Sequence, residues 1–283
     1  MTALNEQATS DSDFVNRFLQ GVENRNALDM KQLIVEIIFK SIEDNDIVSI
    51  DIINTCINID INFIVLQSIK VNNENMVNRI INKHKRNIDV DSPYIKRAAS
   101  YCVENNYKNY LKMLIFDLNL DTKDLLINNS SMLNVAVNKG YEEIVILLIT
   151  RCEHDIDQLD INNNSLLHMA VNNNNYRMTY LLLHMDISPN LFNKDNVSPI
   201  LLAAKNGNNK ILKLMAKFVD VDTCDKTGNT VLNHAIINKH FSTVSVLINE
   251  LLASKHINNV FGTSALEFAL QVKDNDIINL LLD

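Results

Sequence analysis

Between residues 193 and 217 the chain alternates a polar turn, a short apolar run, a polar break and a second apolar run. Ser198 stands where a side-chain oxygen caps a helix, and Pro199 stands where the first helical residue needs no amide donor. Ile200, Leu202 and Ala203 then line one face, and Gly207 falls where a helix ends in a left-handed residue. Ile211, Leu212, Leu214 and Met215 restart a helical apolar period. Two helices this short cannot bury both of their apolar faces alone, so the pattern predicts copies of the unit on either side.

The copies are there. Ser131, Ser165, Ser198, Thr230 and Ser264 recur at spacings of 34, 33, 32 and 34 residues. Two residues after each stands Leu133, Leu167, Ile200, Leu232 or Leu266, and five residues after each an alanine: Ala136, Ala170, Ala203, Ala235 and Ala269. Gly140 and Gly207 share one place in this frame, between the two helices, and Asn174 takes that place in its own copy. Asn is the next residue after Gly to accept a left-handed conformation. Gly228 and Gly262 share another place, in the loop before the cap. The small alanine side chain is read as letting neighbouring first helices approach, and the leucine or isoleucine as filling the space between copies.

The run from Asp225 to Ala235, with Gly228, Thr230, Leu232 and His234, resembles the D-x-x-G-x-T-P-L-H-x-A motif of the ankyrin repeat. Ser165 to Ala170, with Leu167 and His168, and Ser198 to Ala203, with Pro199, are similar to the same motif, and the period of about 33 is that of the family. The resemblance implies an all-α solenoid of stacked helix-turn-helix units, about seven in number, with the first ones degenerate. Five clear units fill residues 121–283. Residues 25–120 carry degenerate ones: counting back 34 places one at Arg97 to Leu114 without the Thr-Pro opening, Asn72 to Ile81 is read as another second helix, and residues 25–55 hold an eighth unit or a helical cap. The whole array is read as one domain, its front expected to open first, preceded by a polar, disordered segment at 1–24.

Composition supports helices. Five glycines and three prolines in 283 residues are too few for the turns of an all-β fold, and 47% hydrophobic residues are typical of a globular chain. A formal charge of -8 argues against a basic nucleic-acid footprint. The N-terminal stretch is not a signal peptide, and no apolar run reaches the roughly 18 residues of a membrane span. Cys56, Cys102, Cys152 and Cys224 are far apart and read as buried thiols of a reducing compartment. These features predict an intracellular protein of the cytoplasm or nucleus. The Asn-rich runs at 162–164 and 172–175 are explained by AT-rich codons rather than by a prion-like segment, and that bias resembles ankyrin proteins of large DNA viruses and intracellular parasites.

No metal-ligand spacing, phosphate-binding loop or nucleophile elbow occurs, so no cofactor, metal or enzymatic activity is expected. His168 is read as a structural partner of Ser165, and Cys152 with His154 as no more than a chance pair. The family resemblance implies protein binding by the solvent side of the first helices and by the loop tips. Carried over by position, the first set is Asn138, Lys139, Asn172, Asn173, Lys205, Asn206 and Asn238. The second is Asn162, Asn164, Lys194, Asp195, Val197, Lys226, Asn229, Val260 and Phe261. Val260 and Phe261 make an apolar tip, read either as a binding anchor or as cover for the edge of the last repeat. The resemblance implies a scaffold or adaptor that acts on signalling, transcription or a host factor, as a monomer or in a hetero-complex. No direct contact with nucleic acid or membrane is expected. The alternative is a structural subunit or assembly chaperone whose last repeat, which lacks a polar cap, is covered by a partner or another copy.

Overall fold

The computed structural model describes residues 27–57 and 59–282; the segment read as disordered at 1–24 lies outside the described residues. Sixteen α-helices, one 3-10 turn, one π-helical turn and a single pair of two-residue strands make up the regular structure among them. The chain forms two compact units, divided between Leu125 and Leu126.

In the first unit the helices come in pairs: α1 (Ala27–Glu43) with α2 (Ile47–Ile57), α3 (Ile61–Lys70) with α4 (Glu74–His84), and α5 (Pro93–Glu104) with α6 (Lys108–Lys112). α1, α3 and α5 pack side by side, as do α2 and α4. The segments expected to hold degenerate units therefore do contain helix hairpins. Their turns use asparagine in place of glycine, with Asn72 at φ +58° and Asn106 at φ +60°. Asn73 works in two directions: its Oδ1 accepts from the Met76 N–H of its own helix, and its Nδ2 donates to the Ile42 carbonyl of the preceding pair. Between α2 and α4, Asp51 bonds both Lys83 and His84.

One expectation is corrected here. The pair at Arg97 to Leu114, read as lacking a Thr-Pro opening, has a Ser-Pro one five residues before Arg97: the Ser92 Oγ accepts from the Tyr94 N–H, with Pro93 at the first helical position. The spacing of 34 still holds at the turn, where left-handed Asn106 stands 34 residues before left-handed Gly140; what differs is the first helix, whose 12 residues begin five positions ahead of the frame. A π-helical turn at Met113–Asp117 follows α6, and the hairpin of β1 (Leu126–Ile127) and β2 (Ser130–Ser131) comes after it, pairing Leu126 with Ser131.

The second unit stacks five helix pairs: α7 (Met132–Lys139) and α8 (Glu142–Cys152), α9 (Leu166–Asn172) and α10 (Tyr176–Leu183), α11 (Pro199–Lys205) and α12 (Asn209–Met215), α13 (Val231–Ile237) and α14 (Phe241–Asn249), α15 (Ala265–Val272) and α16 (Asn275–Leu282). The first helices α7, α9, α11, α13 and α15 form one layer, and the second helices α10, α12, α14 and α16 pack in sequence in another. All five frame alanines are buried, together with Leu133, Leu167, Ile200 and Leu232. Each such aliphatic side chain taken fully out of water contributes roughly 1.5–3 kcal/mol.

Four of the five cap residues act through their side chains: Ser131, Ser165, Thr230 and Ser264 each accept from the N–H three residues on. Ser198 holds the cap position but makes no cap bond, and its buried Oγ has no partner among the described residues. Pro199 supplies the start instead, since its fixed φ presets the first turn and one orphan donor is already gone. The thiols also divide. Cys102 and Cys152 are buried, whereas Cys224 is exposed, because it flanks a loop tip and pairs through its backbone with Thr230; the Cys56 side chain lies outside the described residues.

The turn inside each pair of this unit passes through a left-handed residue: Gly140 at φ +76°, Asn174 at +50°, Gly207 at +70°, Lys239 at +58° and Lys273 at +54°. At Gly207 a Cβ would stand 3.0 Å from the His240 ring of the next pair, so glycine there serves both conformation and packing. Lys239 occupies the same conformation with an exposed side chain that makes no hydrogen bond or ion pair among the described residues. Lys239→Gly should therefore raise stability by about 0.5–1 kcal/mol, the relief of left-handed strain less the entropy glycine adds to the unfolded chain. Urea denaturation checks it; an unchanged or lower midpoint is the contrary result.

Candidate protein-binding surface

Before each first helix from α9 to α15 the chain makes a tight loop, and each loop is pinned by one carboxylate or amide oxygen. Asp160 Oδ1 accepts from the Asn162 and Asn164 N–H groups, and Asn193 Oδ1 from those of Asp195 and Val197. Asp225 Oδ1 accepts from the Thr227 and Asn229 N–H groups, and Asn259 Oδ1 from those of Phe261 and Thr263. Each loop also places one residue in the left-handed region, Asn163, Asn196, Gly228 and Gly262 in turn. The tips are thus preformed, and their exposed side chains are held at fixed spacing.

Neighbouring tips bond to each other in two places. Lys194 N–H donates to the Asn162 carbonyl at 3.0 Å while Asn193 Nδ2 donates to Asn164 Oδ1 at 3.0 Å. Val260 N–H donates to the Thr227 carbonyl at 2.9 Å while Asn259 Nδ2 donates to Asn229 Oδ1 at 3.0 Å. No such pair joins the loop of Asn193 to that of Asp225 among the described residues, and the residue types give the reason. Asp225 has no amide to donate; its Oδ2 instead accepts from His234 Nε2, 2.9 Å away.

A model of ankyrin repeats matches the chain in three overlapping copies, over residues 99–193, 133–223 and 200–283. The chain belongs to the ankyrin-repeat family. No curated protein matches it. Repeats of this family are in general protein–protein interaction modules, so the tips and the ends of the first helices are the places to examine.

Of the residues expected to line the ankyrin surface, Asn162, Lys194, Asp195, Lys226, Val260 and Phe261 are exposed at the tips. Asn138, Lys139, Asn172, Asn173, Lys205 and Asn206 are exposed at the ends of α7, α9 and α11. Asn164 and Asn229 are half-buried, their side chains used in the tip-to-tip bonds, and Asn238 is half-buried with its amide on the His234 carbonyl. Val197 is not at the surface: its side chain is 7% exposed, which corrects its placement among the binding residues. It lies at the descending end of the loop, where the chain turns inward to the cap, and its carbonyl accepts from His168 Nε2 at 2.8 Å.

The expected expanse of first-helix surface is also narrower than the frame implied. Leu166 to Val171 of α9 are all buried, and the first helices expose little before their last turn. What the frame did not single out is the position four residues after the cap, where Leu202, His234 and Phe268 are half-buried and reach the surface between tip and helix end. Their offset of four from a cap was the available signal.

His168 and His234 are structural hinges of this surface. The His168 ring accepts from the Ser165 N–H at Nδ1, 3.1 Å away, and donates from Nε2 to Val197 in the next repeat; it is therefore neutral, with its proton on Nε2. Burial lowers the pKa of His168, against the opposing pull of the Val197 carbonyl and Asp160. Burial lowers that of His234 as well, outweighing the neighbouring Asp225 carboxylate. Burial alone would raise Asp225, but hydrogen bonds from Thr227, Asn229 and His234 together hold it below the usual carboxylate range. Among the described residues no group of three or more His, Cys, Asp or Glu is placed to hold a metal ion, and no helix is long and apolar enough to cross a membrane. Burial also raises the thiol pKa of Cys102, leaving it protonated.

A histidine whose folded pKa is lowered contributes stability that is complete above its unfolded value of about 6.5 and declines as pH falls through that value toward the folded one. The urea midpoint should accordingly fall between about pH 7.5 and 5.5, and the fall should shrink in His168→Gln/His234→Gln. An identical pH slope in parent and double variant would contradict the assignment.

Proposed function

We propose that this chain is a non-enzymatic adaptor that binds a partner protein along the row of loop tips and the adjoining ends of the first helices, with Val260 and Phe261 as the apolar anchor. The observation that carries this reading is the state of Phe261. It is 79% exposed and Val260 67% exposed, on a loop whose backbone is fixed by Asn259. An aromatic side chain held in water on a rigid tip loses little freedom when a partner covers it, which is the behaviour of an interface hot spot. The polar tips at Asn162, Lys194, Asp195 and Lys226 supply hydrogen-bonding groups around it that set orientation rather than strength. The adaptor is proposed to act in the cytoplasm or nucleus on a signalling, transcription or host protein; that Cys102, Cys152 and Cys224 form no disulfide among the described residues supports a reducing compartment.

One observation favours a second reading, a subunit whose last helix pair is covered in an assembly: Leu270 and Leu282 on α15 and α16 are exposed as well. Affinity purification from a native extract, comparing parent with Phe261→Ala, tests the first. A partner retained by the parent and lost by the variant, with melting temperature and mass unchanged, is the expected result. Retention of the same partner by Phe261→Ala contradicts it, and a mass that rises with concentration in the parent but not in the variant supports the assembly.

A further inference from the structure

The second helices carry a surface of different character, on a side of the repeats that the loop-tip reading does not use. Three frame positions recur on their outer faces. On α10 and just past its end they hold Arg177, Tyr180 and His184, and on α12 and just past its end Lys210, Lys213 and Lys217. The flanking α8 has Glu143, Ile146 and Thr150 there, and α14 has Ser242, Ser245 and Asn249. Within the second unit the basic and aromatic character at these positions is confined to two adjacent repeats. Residues 161–219 as a whole hold six cationic side chains against two acidic ones, in a chain whose formal charge is -8.

The aromatic residues form one continuous stack across the two repeats. The Tyr180 and His184 rings lie 4.1 Å apart at 30°, and His184 meets Phe218, which follows α12, edge to face at 5.5 Å. His184 Nδ1 donates to the Tyr180 carbonyl, which fixes the ring between its neighbours. Tyr180 is 49% exposed and Phe218 41% exposed, so the stack is not core. Arg177, Lys210 and Lys217 are exposed around it and form no ion pair with another described residue, whereas Lys213 is held by Glu250 of the next repeat.

We propose that this outer face is a second docking surface, and that it takes an acidic amphipathic segment of a partner protein. Carboxylates of the segment pair with Arg177, Lys210 and Lys217, and an aliphatic or aromatic side chain settles on the Tyr180–His184–Phe218 stack. Charge complementarity selects this occupant. A nucleic acid could lay its bases on the rings, but three unpaired cations are few for a continuous row of phosphates in a chain of formal charge -8, whereas an amphipathic helix brings carboxylates on one face only. An acidic helix satisfies both halves of the patch at once, with its carboxylates on one stripe and its anchors three or four residues apart.

The test uses the full chain and four labelled probes. One is an amphipathic peptide of roughly 16 residues, about four helical turns, with Glu and Asp on one face and Leu and Phe on the other. The second has its acids replaced by Gln and Asn, the third has its Leu and Phe replaced by Ser, and the last is an oligothymidylate of similar charge. Fluorescence anisotropy should show saturable binding of the first probe and weaker binding of the other three. Arg177→Glu/Lys210→Glu/Lys217→Glu, in which only exposed side chains change, should weaken it about ten-fold or more, while Lys226→Glu at a loop tip should not. Tyr180→Ser should remove the preference for the Leu/Phe peptide over its Ser counterpart. The proposal is overturned if the parent binds no probe saturably, if the Ser peptide or the oligonucleotide binds as tightly, or if the folded triple variant binds like the parent.

Discussion

Every helix pair of the second unit is too short to bury its own apolar surface, and the rest of that unit's structure follows from this. A helix of seven residues, such as α9 or α11, spans about two turns and is not stable alone in water. Its burial is complete only because a neighbour lies on each side: Leu167 and Ala170, or Ile200 and Ala203, are sealed between successive first helices. Stability in such a stack is a sum of pair terms and of contacts between neighbours.

Those contacts require constant spacing, and polar groups supply it. Left-handed residues return the chain by the same angle at each turn, and the residue after the turn reaches back to the preceding pair. Asn208 donates to the Val171 carbonyl, which also accepts from the Asn174 N–H, and His240 donates to the Lys205 carbonyl, closing an orphan acceptor at the end of a first helix. At the loops, His168 and the asparagine pairs do the same work. Asp225 is the exception, turned inward to His234 instead of across to its neighbour, and it marks the junction of α11 and α13 as the one whose loops are least tied together.

Residue identity revealed the repeating parts of this plan. Ser or Thr at the cap, Ala five later and Gly or Asn at the turn each have one dominant physical reason, so their recurrence could be read directly. His168 was legible for the same cause, since a histidine three residues after a serine completes a cap. Features set by tertiary context were not legible. Val197 looks like a tip residue until the inward course of its loop is seen, and Cys224 looks like a core thiol until it is found flanking a tip. Ser92 was hidden by a longer first helix, which puts its cap five residues ahead of the frame position, and the strain at Lys239 by a residue type that gives no hint of a left-handed turn. The binding surface was legible as a set of positions. Its division into free tips, tied amides and a separate basic-aromatic face depends on which side chains bond to one another.

Surface and scaffold are therefore separable here: the buried frame sets spacing, and the exposed residues on tips and outer helices are free to recognise partners. The dependence of each repeat on its neighbours is the claim beneath this account, and native-state amide hydrogen exchange on the second unit tests it most directly. Protection should be greatest in α9 and α11, which have neighbours on both sides, and should fall stepwise through α13 to α15 and α16. Uniform protection across the five pairs, or the highest protection in α16, would contradict it.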